Sequence, residues 1–321
     1  MQDLRQTLAQ ELPAFNAALE HMAGTLPERA RPVAGHVLAA GGKRLRPLLT
    51  LLTGRAFGCS HEMLYTLGAA VEMLHAATLL HDDILDNSPL RRGKPAAHTV
   101  FDTTSVVLAG DAMLARALLS VSQTGDARLT ACISEAVMRT AEGEIAEFDL
   151  LRNMDVAYQD YLNVITGKTA WMLRAACELG ALYAAAPEEL VAAAARFGLE
   201  LGIAFQIVDD VLDFMPSSDT GKPSGGDLKE GKMTPPLIAY VQSLSPDKQA
   251  LFRERFSQDA FSGQELDAIT EQVVSQGFAL QSKNLASEHL AKAASELSRL
   301  PDNAHTQLLK QMIDYVQDRK S

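Results

Sequence analysis

The chain has 321 residues, 47% of them hydrophobic and 21% charged; this is enough apolar material for a large buried core, and it excludes an intrinsically disordered chain or a small disulfide-stapled module. Twenty-nine Lys and Arg against 40 Asp and Glu give a formal charge of -11, which argues against wrapping nucleic acid and requires that any anionic ligand be met by a local cluster of cations. Aromatics are only 6%, and Ala, Leu, Glu, Gln and Arg outweigh Val/Ile/Thr-rich strands, so composition points to an all-α protein and against a β-sandwich.

The first residues, MQDLRQTLAQELPAF, carry charges at short intervals, so neither a signal peptide nor a spanning helix is expected there. No later run of about 18 uncharged apolar residues occurs, and a cytoplasmic location is expected. Gly, Pro, Asn and Ser punctuate the chain at 24–32, 41–42, 58–60, 87–98, 124–126, 153–155 and 215–231, leaving about a dozen helical segments between. In 63–86, Leu64, Leu67, Val71, Leu74 and Thr78 recur every three or four residues, predicting a helix roughly 36 Å long. The stretch 103–108 (TTSVVL) has strand-like residues, but its helical flank at 114–119 assigns it to a helix. Residues 190–214 are apolar all round and predict a central buried helix that ends in charge. The Gly/Pro-punctuated segment 216–230 reads as a loop and, beside a carboxylate-tipped helix, as an active-site lid. Cys59, Cys132 and Cys177 are odd in number, widely spaced and without a CxxC pair, which predicts small core residues in a reducing compartment. With no repeat and no Pro- or Ser-rich linker, residues 1–321 read as one domain.

The chemistry concentrates in two patterns. HDDILD at 81–86 places Asp82, Asp83 and Asp86 at the C-terminal end of an apolar helix, and Asp209, Asp210 and Asp213 repeat the i, i+1, i+4 arrangement at the end of another. Like charges four apart and anions at a helix C-terminus both destabilise, so something cationic must offset them. One such group alone would be an ordinary solvated helix end. Two of them, facing each other, would form a six-carboxylate mouth. Oxygen-only donors of high charge suit Mg²⁺, which completes its shell with waters and substrate phosphates; a metal-bound diphosphate is the expected ligand. The cations stand close by in sequence: Lys43, Arg44 and Arg46 after Gly41–Gly42, then Arg91, Arg92 and Lys94, Lys168, and finally Lys222 and Lys232 near the second aspartates. The 43–46 cations stand at the start of an expected helix, whose backbone N–H groups would also favour an anion.

The segments GGKRLRP (41–47), HAATLLHDDILD (75–86), RRGKP (91–95), AGD (109–111), GKT (167–169), FQIVDDVLD (205–213) and GKMTPPL (231–237), in this order and separation, resemble the trans-prenyltransferases, the synthases of isoprenoid diphosphates. The resemblance spans nearly the whole chain. It implies a single-domain antiparallel helical bundle around a central cavity, commonly a homodimer, and Mg²⁺-dependent condensation of isopentenyl diphosphate with an allylic diphosphate. By position it implies metal ligation by Asp82, Asp83, Asp86, Asp209, Asp210 and Asp213, and allylic diphosphate binding by Arg91, Lys168, Lys222 and Lys232. It implies an isopentenyl diphosphate site at Gly42, Lys43, Arg46, His75 and Arg92. The Thr169 hydroxyl, the Lys168 carbonyl and the Gln206 oxygen match the family's dipoles around the allylic cation, whereas His81, His98 and Trp171 read as structural.

Ala77 and Thr78 lie about 6 to 7 Å down the helix from Asp82, where a growing chain would go. Both are small, and neither an aromatic plug nor an insertion in the first motif is present. The expected product is therefore a medium-to-long all-trans polyprenyl diphosphate, such as a quinone side-chain precursor, with geranylgeranyl diphosphate as the alternative. Within the family resemblance, Gly226–Asp227 replaces the paired acids often seen in the long-chain loop and the histidine of RRGKPAAH is more typical of shorter-chain members, both against the longest products, and Met113, Met138 or Phe148 could form a deeper floor. An HD-type phosphohydrolase would leave the second aspartate cluster unexplained, and a terpene cyclase needs no second diphosphate site. A non-catalytic subunit of a heteromeric synthase, the non-enzyme reading, could dispense with one aspartate motif, whereas both are whole.

Overall fold

The helix expected over 63–86 runs from Met63 to Leu85 in the computed structural model, which describes residues 2–215 and 225–319. Leu64, Leu67, Val71 and Leu80 have no exposed surface and Leu74 has almost none, each side chain contributing about 1.5–3 kcal/mol by leaving water. The Leu45–Ala56 and Thr103–Ser122 helices cover it. Asp102 caps the latter, its carboxylate accepting the Ser105 N–H at 2.9 Å. That cap, which satisfies an otherwise unpaired donor, starts a helix where Val and Thr alone favour a strand.

Among the described residues the regular structure is helical, apart from one hairpin of two-residue strands, Leu90–Arg91 and Lys94–Pro95. Two compact units emerge. The first comprises Met1–Val137, Met172–Gly198 and Glu296–Gln311; the second comprises Met138–Trp171, Leu199–Ser295 and Met312–Ser321. In the first, Glu72 is buried beneath the Leu45–Ala56 helix start and receives Arg44 at 2.6 Å. Arg44 adopts a left-handed conformation at that N-cap and also donates to the Leu38 carbonyl. In the second, the C-terminal part of the Glu188–Phe214 helix buries Leu201, Ala204, Ile207, Val211 and Phe214.

Two expectations change. Residues Gly226–Glu230 of the expected loop form a short helix, bounded by Gly225 and Gly231 at φ 78° and 83°, a left-handed conformation that glycine adopts without cost. Residues 216–224, with Lys222, lie outside the described residues, so the lid reading stays an expectation. By length and composition three helices, Met63–Leu85, Thr103–Ser122 and Glu188–Phe214, could cross a membrane. The protein itself buries 67% of the apolar window in the first and third, and 39% in the second. Cys132 and Cys177 are buried, Cys59 is half-buried and all three are free thiols. Burial pushes the Cys177 thiol up to about 12.

Candidate active site

In the first unit the hairpin turn Arg92–Gly93 has positive φ at both residues, as a tight two-residue hairpin requires. The strand geometry it imposes sends adjacent arginines to opposite sides. Arg91 Nε donates to Asp83 Oδ1 at 2.7 Å, pairing the first motif with a cation; Asp83 is buried. The Arg92 guanidinium lies against Gly42, where an added Cβ would stand 2.6 Å from Nη1. The φ of 156° at Gly42 favours glycine there. Arg46 and Arg92 each lose basicity, chiefly to burial, and the charge of Arg92 adds to the effect on Arg46; Glu72 partly offsets it for both. His75 is held well below the ordinary imidazole range by burial, and then by Arg46, Arg92, Arg91 and Arg44. Buried Arg46 Nε has no hydrogen-bond partner. Such an excess of desolvated positive charge is what a diphosphate would relieve. Arg44 is paired with Glu72, although its charge still reaches His75 and Arg92.

Asp82 and Asp86 share the end of the Met63–Leu85 helix with Asp83, and Asp86 closes it by donating its N–H to the Asp82 carbonyl at 2.8 Å. His81 fills a structural role, with Nε2 3.2 Å from the Val107 carbonyl and its ring against Gly110. Below the motif, Ala77 has no exposure. Thr78 is half-buried, its hydroxyl donating to the His75 carbonyl at 2.9 Å. Of the suggested floor residues Met113 is fully buried, whereas Met138 and Phe148 are 51% and 71% exposed.

In the second unit the chain at Thr166–Ala170 widens into a single π turn, an irregularity that loosens carbonyls from the helical ladder and recurs at functional sites. Lys168 and Thr169 sit on it. The turn meets the Ala127–Leu150 helix backbone to backbone: a Cβ on Gly143 would stand 2.3 Å from the Lys168 nitrogen. This crossing brings Glu144 to 2.9 Å from Lys168 Nζ and Glu147 into direct contact with it, while Glu147 also lies 3.6 Å from Lys232 Nζ. Burial works to raise the Glu147 pKa, but the two lysines outweigh it and hold the carboxyl below its ordinary value. Gly143→Ala should therefore lower the melting temperature by the equivalent of about 1–3 kcal/mol, an overpacking cost, and reduce turnover; a melt and a rate assay check both.

A cleft of about 610 Å³ opens beside these groups, with Val156, Val164 and Ile165 on its apolar wall and Lys168, Lys232, Asp210 and Asp227 on its polar one. The Thr169 hydroxyl donates to Gln206 Oε1 at 2.7 Å, and Gln206 Nε2 donates to Asp210 Oδ1 at 2.7 Å. Burial, with Asp209 and Glu147 adding to it, raises the Asp210 pKa to about 7 against the hydrogen bonds from Tyr161 and Gln206. Asp227 is raised well above its ordinary value by burial and by Asp210 and Asp213, and its buried Oδ2 has no hydrogen-bond partner. Asp213 accepts the Asp227 N–H at 2.9 Å, and Asp209 is paired with Arg319 at 2.6 Å.

A model of the polyprenyl synthetase family matches residues 27–273. The chain belongs to the polyprenyl synthetase family. It is thus a trans-prenyltransferase, and the all-α fold implied by the sequence is the isoprenyl synthase fold observed. Octaprenyl diphosphate synthase of Escherichia coli (strain K12) is 32% identical over 304 residues, 94% of each chain. A decaprenyl diphosphate synthase from Rhodobacter capsulatus superposes with a TM-score of 0.92 at 36% identity, covering 100% of this chain and 99% of its own. A polyprenyl synthase from Caulobacter crescentus CB15, complexed with calcium and isoprenyl diphosphate, gives a TM-score of 0.93 at 31% identity over 99% and 97% of the two chains.

For a polyprenyl synthetase the donor chemistry fits a hard divalent cation. The Asp210–Asp213–Asp227 group is rich in carboxylate, and one buried oxygen, Asp227 Oδ2, is unsatisfied. Among the described residues no three acidic, His or Cys side chains form a preformed metal cage. Sequence reading missed Glu144, Glu147, Tyr161 and Arg319, and took Asp227 only as a chain-length feature. The first two occur in an EGEIAE run whose only signal was acidic spacing on one helix; Arg319 stands 110 residues from its partner and offered none.

Proposed function

We propose that this polyprenyl synthetase joins isopentenyl diphosphate to an allylic diphosphate in repeated 1′–4 condensations that need Mg²⁺. The product is an all-trans polyprenyl diphosphate longer than farnesyl. The observation that carries the chemistry is the clustering of Arg46 and Arg92 about His75, in which the buried Arg46 Nε has no hydrogen-bond partner. With Lys43 and Gly42 it is built for a second diphosphate, which neither a hydrolase nor a cyclase requires. The product length is supported by relatives named for octaprenyl and decaprenyl products and by the small, partly exposed Thr78 beneath the first motif.

In this reading Asp82, Asp83, Asp86, Asp209, Asp210 and Asp213 serve Mg²⁺, and Arg91, Lys168, Lys222 and Lys232 hold the allylic diphosphate. When bound, Mg²⁺ supplies charge neutralisation for the departing pyrophosphate. Arg91 and the lysines orient that group and offset its developing charge. Thr169, the Lys168 carbonyl and Gln206 present dipoles to the allylic cation; carbon C4 of isopentenyl diphosphate attacks C1, and pyrophosphate takes the proton then lost. Val156, Val164 and Ile165 keep the cleft wall dry, so water does not quench the cation.

A homodimer acting in the cytoplasm completes the reading. Leu108 and Leu119 of the Thr103–Ser122 helix, and Ile145 and Phe148 of the Ala127–Leu150 helix, are at least half exposed; apolar helix faces of this kind mark protein interfaces. The deciding experiment incubates purified protein with Mg²⁺, labelled isopentenyl diphosphate and, separately, dimethylallyl, geranyl and farnesyl diphosphates. A product ladder ending beyond geranylgeranyl is expected. A stop at farnesyl or geranylgeranyl would overturn the length assignment, and no incorporation would overturn the catalytic reading in favour of a partner subunit.

A further inference from the structure

The three aspartates of the second motif have different surroundings. The Asp209 side chain is 47% exposed and paired with Arg319, and Asp213 ties down the start of the Gly226–Glu230 helix through the Asp227 N–H. Asp210 is buried, and each of its oxygens accepts a hydrogen bond: Oδ1 from Gln206 at 2.7 Å, Oδ2 from the Tyr161 hydroxyl at 2.5 Å. Gln206 is itself oriented, because its Oε1 accepts the Thr169 hydroxyl. Tyr161, on the Tyr158–Ile165 helix, is 5% exposed, and its ring stacks on Tyr158 at 6.0 Å. A rigid aromatic therefore aims one hydroxyl at one carboxylate oxygen.

We propose that Tyr161 is the positioning residue of the second aspartate motif, clamping Asp210 between its hydroxyl and Gln206 in the orientation that a divalent cation on the diphosphate requires. The inference rests on the reading of that motif as a metal centre. A short O–H···O⁻ bond to a buried carboxylate is among the stronger hydrogen bonds, and without it Asp210 Oδ2 would face the interior with its donor gone. Groups that orient metal-ligating carboxylates typically set metal affinity or activity by 10–100-fold. The same chain, Tyr161 to Asp210 to Gln206 to Thr169, links the motif to two of the three dipoles assigned to the allylic cation.

The test is Tyr161→Phe in the full chain, with Asp210→Asn alongside. Two responses are measured: the Mg²⁺ concentration for half-maximal condensation, and Mn²⁺ binding in the presence of pyrophosphate, followed by water-proton relaxation without turnover. Both half-saturation points should rise about 10–100-fold in Tyr161→Phe, with activity largely recovered at saturating metal and product length unchanged. A lowered melting temperature with unchanged metal responses would make Tyr161 merely structural and overturn the assignment. Unchanged responses in Tyr161→Phe beside shifted ones in Asp210→Asn would do the same, whereas unchanged responses in both would overturn the metal reading of the motif instead. Should the phenylalanine variant not fold, Tyr161→Met removes the same hydroxyl with a side chain that repacks easily, and the same shifts are expected.

Discussion

Asp82→Ala should lower condensation by about a thousandfold or more, a loss of about 4 kcal/mol of transition-state stabilisation, while leaving the melting temperature unchanged or slightly higher. The two parts of this outcome have separate causes. Asp82 and Asp86 stand four apart on the last turn of the Met63–Leu85 helix, where like charges repel and negative charge opposes the helix dipole. Removing one of them relieves local strain. Activity falls because neither neighbouring aspartate can take over the lost oxygens: Asp83 is engaged by Arg91, and Asp86, the helix cap, has its own proposed place at the metal. Asp209→Ala should reduce turnover similarly and also free Arg319, which now pairs with Asp209 and lies over the Phe205 ring at 4.4 Å. Rate assays over a Mg²⁺ series, with thermal melts of the same samples, check both variants; Mg²⁺-dependent turnover near the parent level in either would refute its place at the metal.

Thr78→Phe should shorten the product, moving the end of the ladder to farnesyl or geranylgeranyl diphosphate without abolishing the first condensation. Thr78 is one helical turn, about 6 Å, before Asp82, and it retains partial exposure, so a ring there projects into space open to a growing chain. Ala77, one residue earlier, is the instructive contrast. It has no exposure, and Ala77→Phe should overpack the helix interface, costing about 1–3 kcal/mol and lowering the melting temperature. Product chromatography and melts of the two variants separate the effects. An unchanged ladder in Thr78→Phe would show that the chain does not pass this residue.

The fold class and most of the chemistry are readable from local pattern. Apolar spacing over 63–86 and 190–214 predicted helices found at Met63–Leu85 and Glu188–Phe214, because helix periodicity is a property of consecutive residues. The aspartate repeats and the Gly–cation runs are likewise local. The 226–230 segment misled because glycine and charge read as loop, whereas the structure uses Gly225 and Gly231 as left-handed ends of a short helix buried through Leu228. The Leu90–Pro95 hairpin was hidden because only two residues pair on each side, too few for a period-2 signal.

By itself the sequence determined which groups are available: two sets of carboxylates, clustered cations, small residues beneath the first motif and helices to carry them. Only the tertiary structure decided how those groups are spent. Arg44 is assigned to Glu72 and Arg91 to Asp83, and Lys168 is placed between Glu144 and Glu147 through a glycine crossing. Tyr161 meets Asp210 across 49 residues. Such pairings depend on burial, since desolvating a charge or hydroxyl forces it to find a partner, and burial is set by the packing of helices remote in sequence.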